Sequence, residues 1–391
     1  MLKSNRDLFF SLYWLFFLVG ISTILVGQVL PMLAQKLSLS DSESSRFFIA
    51  HFAGSLSGIF LYNHQAKKSG FVRTILIGIL ASAVGVLLLN ADSQAICMIG
   101  FFLNGICTGA NIPAVNMLVA KLSPLRVSSS LNFLNFFWGL GAILSQPFFY
   151  FLSDNGRILV PTILLSASYL SAFVLIFPYL SEEKTTKAET EREVFRGIWK
   201  NPIAWMIAFF NFAHVGLESG IGGWLTTYSE RFTEKSLIST TPVFFIFFVL
   251  GRAIAPVMVE FFADNNFIFF SLLILFVGLM VIIFSSSYEG LLLGAGICGI
   301  GTSAIFPTNM ARFAKIFHPE ATKSATPIFV MGSFGGAATT YLIGYFSDYF
   351  KSLKMGILVL FANTLILIAL QILILSKIRV STIDVKQEDK K

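Results

Sequence analysis

Apolar residues along the chain fall into long runs that are separated by short polar segments. Twelve such runs lie near residues 8–34, 44–63, 73–91, 94–120, 129–152, 158–180, 202–229, 239–262, 267–285, 288–313, 325–347 and 355–377. Because a helix needs about 20 apolar residues to cross the hydrocarbon of a bilayer, each run is long enough to form a membrane span. The pattern predicts an all-α membrane protein with twelve transmembrane helices.

A single sizeable hydrophilic insertion divides these runs into two groups of six. The insertion covers residues 181–200 and is dense in charged side chains. We therefore predict an N-terminal six-helix bundle over residues 1–180, a cytoplasmic connector over 181–200, and a C-terminal six-helix bundle over 201–391 that ends in a short cytoplasmic tail.

Composition supports the membrane assignment and excludes several classes of function. Of 391 residues, 55% are hydrophobic and only 13% are charged, whereas a soluble protein carries about 25% charged residues. A soluble enzyme or a nucleic-acid-binding module is excluded by this balance. The sequence has no phosphate-binding loop, nucleophile elbow or zinc cluster, so we predict no enzymatic activity, no cofactor and no metal site.

The placement of positive charge predicts the orientation in the membrane. If the N-terminus is cytoplasmic, most of the 28 Lys and Arg residues fall in cytoplasmic segments, including the connector and the C-terminal tail. Cytoplasmic loops of membrane proteins are enriched in these residues. We therefore predict a multi-pass protein of the cell inner membrane, with both termini in the cytoplasm.

The two halves of the chain also repeat each other. Residues 105–116 resemble residues 296–309, and residues 138–154 resemble residues 331–348. The two matches relate the fourth run to the tenth and the fifth run to the eleventh, as a six-plus-six duplication would. Parallel six-helix repeats with a cavity between them are typical of carriers that work by alternating access.

Several segments resemble those of a known family. Residues 16–31, 216–228, 250–262 and 302–313 are similar to the major facilitator superfamily, and more narrowly to its branch of fucose, glucose and mannose symporters. The resemblance implies the major facilitator fold, a central cavity of the size of a sugar, and ion-coupled uptake.

The sequence departs from that branch at two positions. The carboxylates that fucose-type carriers place in helices 1 and 4 correspond here to Gly27 and Ile112. Proton coupling in the fucose style therefore cannot be transferred to this chain, and any coupling group must lie elsewhere.

Glu218 is the strongest candidate for a proton-coupling residue. It lies near the middle of the seventh apolar run, where an ionised carboxylate is costly and usually has a function. His214 lies four residues earlier, so it shares a helical face with Glu218 and could bond to it or relay its proton. The alternative is a structural glutamate that holds its helix to a neighbour, for example through Arg252.

The segment that follows Glu218 is rich in glycine. Gly220, Gly222 and Gly223 disfavour a continuous helix, so we predict a broken helix over residues 219–223 that acts as an outer gate. Trp224 is a candidate for stacking on a sugar ring, with a place in the interfacial aromatic belt as the alternative. Arg252, in the eighth run, is predicted to brace the inner gate.

Polar side chains within other apolar runs are candidates for solute contact. Amide groups both donate and accept hydrogen bonds, as sugar hydroxyls require, and the alternative is hydrogen bonding between helices. The predicted substrate-binding residues are Gln28, Asn104, Asn111, Asn132, Asn135, Trp138, Asn211, Trp224 and Asn309.

Together these features predict a secondary active transporter that works as a monomer. Its partners are predicted to be a small polar solute, most simply a hexose, and a coupling proton, and uptake would proceed by alternating access. Two alternatives stay open: an exporter of a drug, metabolite or siderophore, and a sodium-coupled sugar carrier.

Overall fold

The computed structural model describes residues 5–123, 127–154, 156–181, 198–232, 240–261, 264–317 and 325–388. A short 3₁₀ helix at Phe177–Ser181 extends the seventh of its α-helices. The α-helices are α1 Asn5–Thr23, α2 Leu25–Leu37, α3 Asp41–Ser69, α4 Phe71–Leu88, α5 Gln94–Leu122, α6 Val127–Leu152, α7 Leu159–Ile176, α8 Pro202–Phe232, α9 Thr240–Phe261, α10 Asp264–Phe284, α11 Tyr288–Ser303, α12 Ile305–Phe317, α13 Thr326–Phe350 and α14 Leu353–Glu388.

Helix covers each of the predicted apolar runs, and two runs contain a break. The first run is interrupted at Ile24, between α1 and α2, and the tenth at Ala304, between α11 and α12. The φ angle is −107° at Ile24 and −106° at Ala304, and ψ is near zero at both. These angles lie in the sparsely populated bridge region. By length and apolarity alone, eight helices of the described chain qualify as membrane spans.

The predicted helix break over residues 219–223 is wrong. Helix α8 runs without interruption from Pro202 to Phe232, so Gly220, Gly222 and Gly223 lie inside a regular helix. The physical reason is that these glycines make room for neighbours: a Cβ on Gly220 would strike the side chain of Leu360, and one on Gly223 would lie 2.6 Å from Phe48.

Helices pack mainly within two sets, which we call the N-terminal set (α1–α7) and the C-terminal set (α8–α14). In the first set α5 packs on α3 and α4, and in the second α13 packs on α8 while α11 packs on α9 and α10. Small residues allow the backbones to touch, as where a Cβ on Gly105 would meet the carbonyl oxygen of His51.

Within the described residues, the main contacts between the two sets are those of α3 with α13, α6 with α9, and α2 with α8. Because consecutive spans alternate in direction, the start of α3 and the ends of α2, α8 and α13 lie on the face opposite Asn5, which we call the distal face. The predicted connector 181–200 lies for the most part outside the described residues, so the boundaries of the two bundles stay a prediction.

Candidate functional site

His214 and Glu218 lie one turn apart on α8, in its middle third. The Nε2 atom of His214 is 3.4 Å from the Oε2 atom of Glu218. Only 1% of the His214 side chain is exposed, whereas 25% of the Glu218 side chain is exposed. The Glu218 carboxylate is therefore partly exposed, while the imidazole of His214 is buried.

Arg252 of α9 lies at the break in the tenth span. Its Nε atom donates a hydrogen bond to the carbonyl oxygen of Ser303, 3.2 Å away, where α11 ends. A cation is favoured at this position because the carbonyl groups at a helix C-terminus carry partial negative charge. Arg252 thus stabilises the open end of α11.

Two aromatic rings surround the guanidinium group of Arg252. Its central carbon lies 4.2 Å from the centre of the Phe248 ring and 5.6 Å from that of Trp138, distances at which a cation is attracted to a ring face. Arg252 and Glu218 interact electrostatically, but they form no ion pair. The structure therefore does not show the direct lock between them that was the alternative for Glu218.

Trp138 of α6 lies at the contact between the two sets. Its ring packs against Phe245 and Phe248 of α9, and its indole N–H donates to the Oγ1 atom of Thr23 at 3.2 Å. The residue is 9% exposed. Of the residues predicted to contact solute, Trp138 lies beside Arg252 in the part of the molecule where the two sets meet.

Asn104 and Asn111 lie inside the N-terminal set. The Nδ2 atom of Asn104 donates to Ser82 of α4 at 3.1 Å, and that of Asn111 lies 3.4 Å from the sulfur of Cys107. Both asparagines are fully buried, and a Cβ on Gly78 of α4 would strike the Asn111 amide. For Asn104 this placement supports the alternative of hydrogen bonding between helices, whereas Asn111 bonds within α5 and packs against α4.

Asn211 and Asn309 have the same kind of role in the C-terminal set. The amide of Asn211 donates to the carbonyl oxygen of Ile328 at 2.9 Å, which joins α8 to α13. The amide of Asn309 reaches the carbonyl oxygen of Ile207 at 3.4 Å, and its oxygen accepts from Arg312. Both are buried, so they too bond helices together.

The two predicted asparagines of α6 differ from these. Asn135 is exposed, and its amide donates to the carbonyl oxygen of Leu131 at 2.8 Å, one turn earlier. The side chain of Asn132 lies outside the described residues. Asn135 therefore stays a candidate for solute contact.

Gln28 and Trp224 lie in contacts between helices. The Oε1 atom of Gln28 accepts a hydrogen bond from Thr226 at 3.2 Å, which joins α2 to α8 across the two sets. Trp224 is fully buried, donates to the carbonyl oxygen of Thr340 at 3.0 Å and packs beside the Phe48 ring. The Trp224 ring is thus buried between helices in this structure, and a role in stacking on a sugar stays a prediction.

Some residues around this site carried no signal in the sequence. Thr23, Phe248 and Ser303 contact Trp138 or Arg252, yet each resembles many other threonines, phenylalanines and serines of the apolar runs. The helix break at Ala304 leaves the Ser303 carbonyl free to bond with Arg252. Residue 304 is neither glycine nor proline, so the sequence did not predict the break.

The architecture and this central site define a multi-pass membrane transporter. Two sets of apolar helices, several long enough to cross a membrane, meet beside the charged and aromatic side chains of Arg252, Phe248 and Trp138. The chain belongs to the Major Facilitator Superfamily, whose family model matches residues 12–326.

A curated relative is similar over nearly the whole chain. The glucose/mannose transporter GlcP of Bacillus subtilis (strain 168) is 23% identical over 377 residues, which cover 92% of this chain and 93% of the relative.

Several solved structures of other transporters share this fold. The nucleoside transporter NupG has a TM-score of 0.78 at 12% identity and covers 94% of this chain and 99% of its own. A bacterial homologue of the human lysosomal transporter Spinster, in an inward-facing conformation, has a TM-score of 0.79 at 12% identity, with 96% and 97% covered. The fucose transporter FucP, in the outward conformation, has a TM-score of 0.61 at 18% identity, with 94% and 98% covered.

Proposed function

We propose that this transporter imports a small polar solute, a hexose in the first instance, together with protons, and that Glu218 carries the proton with the help of His214. The observation that supports the proposal most directly is the 3.4 Å contact between His214 and the partly exposed Glu218. A carboxylate in this position can exchange a proton with the interior space, and an imidazole one turn away can pass that proton or stabilise the charge it leaves.

The coupling follows from the cost of burying charge. Enclosing an ionised carboxylate away from water costs several kcal/mol unless it is paired. Protonation removes that cost, so the closed, occluded state becomes accessible when Glu218 is neutral and solute is bound. The loaded carrier then crosses between its two open states more readily than a carrier that holds solute alone.

The solute assignment is supported by the chemistry of the side chains around Arg252 and by Glu218. The Trp138 ring supplies an apolar surface of the kind that packs against the C–H face of a sugar, while Glu218 and Arg252 supply groups that bond to hydroxyls. The similarity to a glucose/mannose transporter supports the same solute class. In the membrane we propose that both termini face the cytoplasm, which makes the distal face the external one, and that a monomer is the working unit.

Uptake into proteoliposomes tests this function. Purified protein is reconstituted, an inward proton gradient is imposed, and accumulation of radiolabelled glucose or mannose is measured alongside exchange of internal for external sugar. We expect the wild type to accumulate sugar and Glu218→Gln to lose accumulation while keeping exchange, because the neutral amide mimics the protonated state. Glu230→Gln is the matched control, since Glu230 is exposed at the end of the same helix and should have no effect. Gradient-driven accumulation in Glu218→Gln would rule out the assignment.

The same vesicles separate the two alternatives. A sodium gradient without a proton gradient would drive uptake in a sodium-coupled carrier. With an exporter, the vesicles would instead accumulate a lipophilic cation or a siderophore when the proton gradient is reversed. They would take up no hexose.

A further inference from the structure

Asp41 and Arg231 form an ion pair on the distal face. Asp41 begins α3 in the N-terminal set, and Arg231 lies in the last turn of α8 in the C-terminal set. Both terminal nitrogens of the guanidinium group donate to the carboxylate, with distances of 2.8 and 2.5 Å. The Asp41 side chain is 9% exposed and that of Arg231 is 50% exposed, so the carboxylate is nearly buried while the guanidinium group is half exposed.

Two residues at the end of α13 complete the network. The hydroxyl of Ser347 donates to the Asp41 carboxylate at 2.5 Å. The carboxylate of Asp348 accepts the backbone N–H groups of Asp41 and Ser42, at 3.1 and 2.8 Å. Asp348 therefore occupies the N-terminus of α3, where a negative charge is favoured by the free N–H groups and by the helix dipole.

Every one of these bonds joins the N-terminal set to the C-terminal set. The first turn of α3 also has its own cap, in which Ser40 and Glu43 bond to each other's backbone N–H groups, so α3 does not depend on Asp348 to begin there. The contribution of Asp348 is then to the contact between the two sets. A bidentate, partly buried pair of Arg and Asp is also stronger and more directional than an exposed ion pair.

The network covers a close approach of backbones. A Cβ on Gly344 of α13 would meet the carbonyl oxygen of Asp41, so α3 and α13 touch directly beneath the charged layer. On α8, Thr227 lies one turn below Arg231 and is buried. Water on the distal face reaches Arg231, whereas the layer beneath is closed.

We propose that Asp41, Ser347 and Asp348, together with Arg231, form a latch that holds the distal face closed and must break each time the transporter opens to that face. The proposal rests on the alternating access of the proposed function. It does not depend on which solute is carried or on which ion is coupled. Weakening the latch shifts the population toward the state that is open on the distal side.

Thiol labelling of full-length protein in detergent measures this population. Thr227→Cys serves as the reporter, because the Thr227 hydroxyl makes no hydrogen bond within the described residues and its site is buried while the latch is closed. Cys97, Cys107 and Cys298 are buried, and protein without the reporter gives their background. We expect Arg231→Gln and Asp348→Asn each to raise the labelling rate of the reporter about tenfold, as loss of a hydrogen bond to a charged group implies.

Lys36→Gln is the matched control. Lys36 forms an ion pair with Asp92 at 2.9 Å, and it lies at the distal end of α2, but both residues belong to the N-terminal set. We expect no change in reporter labelling from this variant. An equal rise in Lys36→Gln would overturn the latch, because it would show general loosening of the distal face.

A second variant of Arg231 and the transport assay test the latch further. If Arg231→Gln does not fold, Arg231→Lys is measured instead, because it keeps the charge but loses the two-pronged geometry, and a smaller rise is expected. Unchanged labelling in folded latch variants would overturn the proposal. A rise in labelling in a protein that transports no hexose would support the latch while refuting the proposed solute.

Discussion

A Cβ atom placed on Gly27 of α2 would lie 2.6 Å from the Cα atom of Gly223 on α8. The two glycines bring the backbones of the N-terminal and C-terminal sets into contact, beside the hydrogen bond between Gln28 and Thr226. Closure of the distal half of the molecule thus depends on the absence of side chains at one point, as well as on the charged latch above it.

Gly27→Ala should hinder distal closure, because the added methyl group meets backbone atoms that cannot rotate away. Overpacking of this kind costs about 1–3 kcal/mol, so we expect solute uptake by reconstituted protein to slow by about tenfold or more. Gly222→Ala is the control: its Cβ would lie 3.4 Å from the Phe245 ring, an ordinary contact, and uptake should stay near wild type. Equal activity of the two variants would contradict the packing argument.

Trp138→Ala should weaken solute binding, because the ring beside Arg252 and Phe248 is removed from the junction of the two sets. We expect an affinity loss of about tenfold, in keeping with the loss of a buried ring contact, measured by thermal shift of purified protein with increasing sugar. Trp14→Ala is the control, since Trp14 is exposed, its indole N–H donates to Ser171, and its ring stacks on Phe17 of the same helix. Wild-type affinity in Trp138→Ala would show that this ring is structural.

Asn104→Ala should lower stability and leave solute affinity unchanged, because Asn104 bonds to Ser82 within one set. Hydrogen bonds between membrane helices contribute about 0.6 kcal/mol on average, so we expect a small drop in the melting temperature of purified protein. Asn135→Ala should do the reverse, with an unchanged melting temperature and weaker sugar binding, because Asn135 is exposed. Loss of sugar affinity in Asn104→Ala would restore the sequence-based prediction for this residue.

Arg252→Gln should destabilise the protein, because it removes a cation from the end of α11 and from the faces of Phe248 and Trp138. Each of these interactions contributes about 0.5–1 kcal/mol. Arg252→Lys retains the charge but not the planar group that stacks on rings, so its melting temperature should fall between those of the wild type and Arg252→Gln. A melting temperature for Arg252→Gln equal to that of wild type would contradict this role.

Periodicity predicted correctly that polar residues share a helical face, but it could not predict which helix or cavity that face contacts. Asn104 and Asn111 lie on one side of α5, as their spacing indicates, and that side faces α4 instead of the space between the two sets. Spacing along a helix determines which side chains lie together. The rotation of the helix about its axis is determined by the neighbours on which it packs.

The glycines of α8 also show that local sequence does not determine where a helix breaks. Local propensity predicted a break at 219–223, where three glycines occur, whereas within the described residues two spans break at Ile24 and Ala304. In α8 the glycines are required by close neighbours such as Leu360 and Phe48, and the surrounding packing keeps the helix intact. A helix propensity cost of about 1 kcal/mol per glycine therefore does not break α8.

The sequence by itself determined the helical spans, the internal repeat, the family resemblance and the pairing of His214 with Glu218, because hydropathy, spacing along a helix and duplication are properties of the chain order. Only the tertiary structure decided which amides bond helices together, where two spans break, and that Asp41 meets Arg231 and Asp348. Those contacts join residues about 190 and 307 positions apart, and such distances along the chain are closed only when both sets of helices have packed.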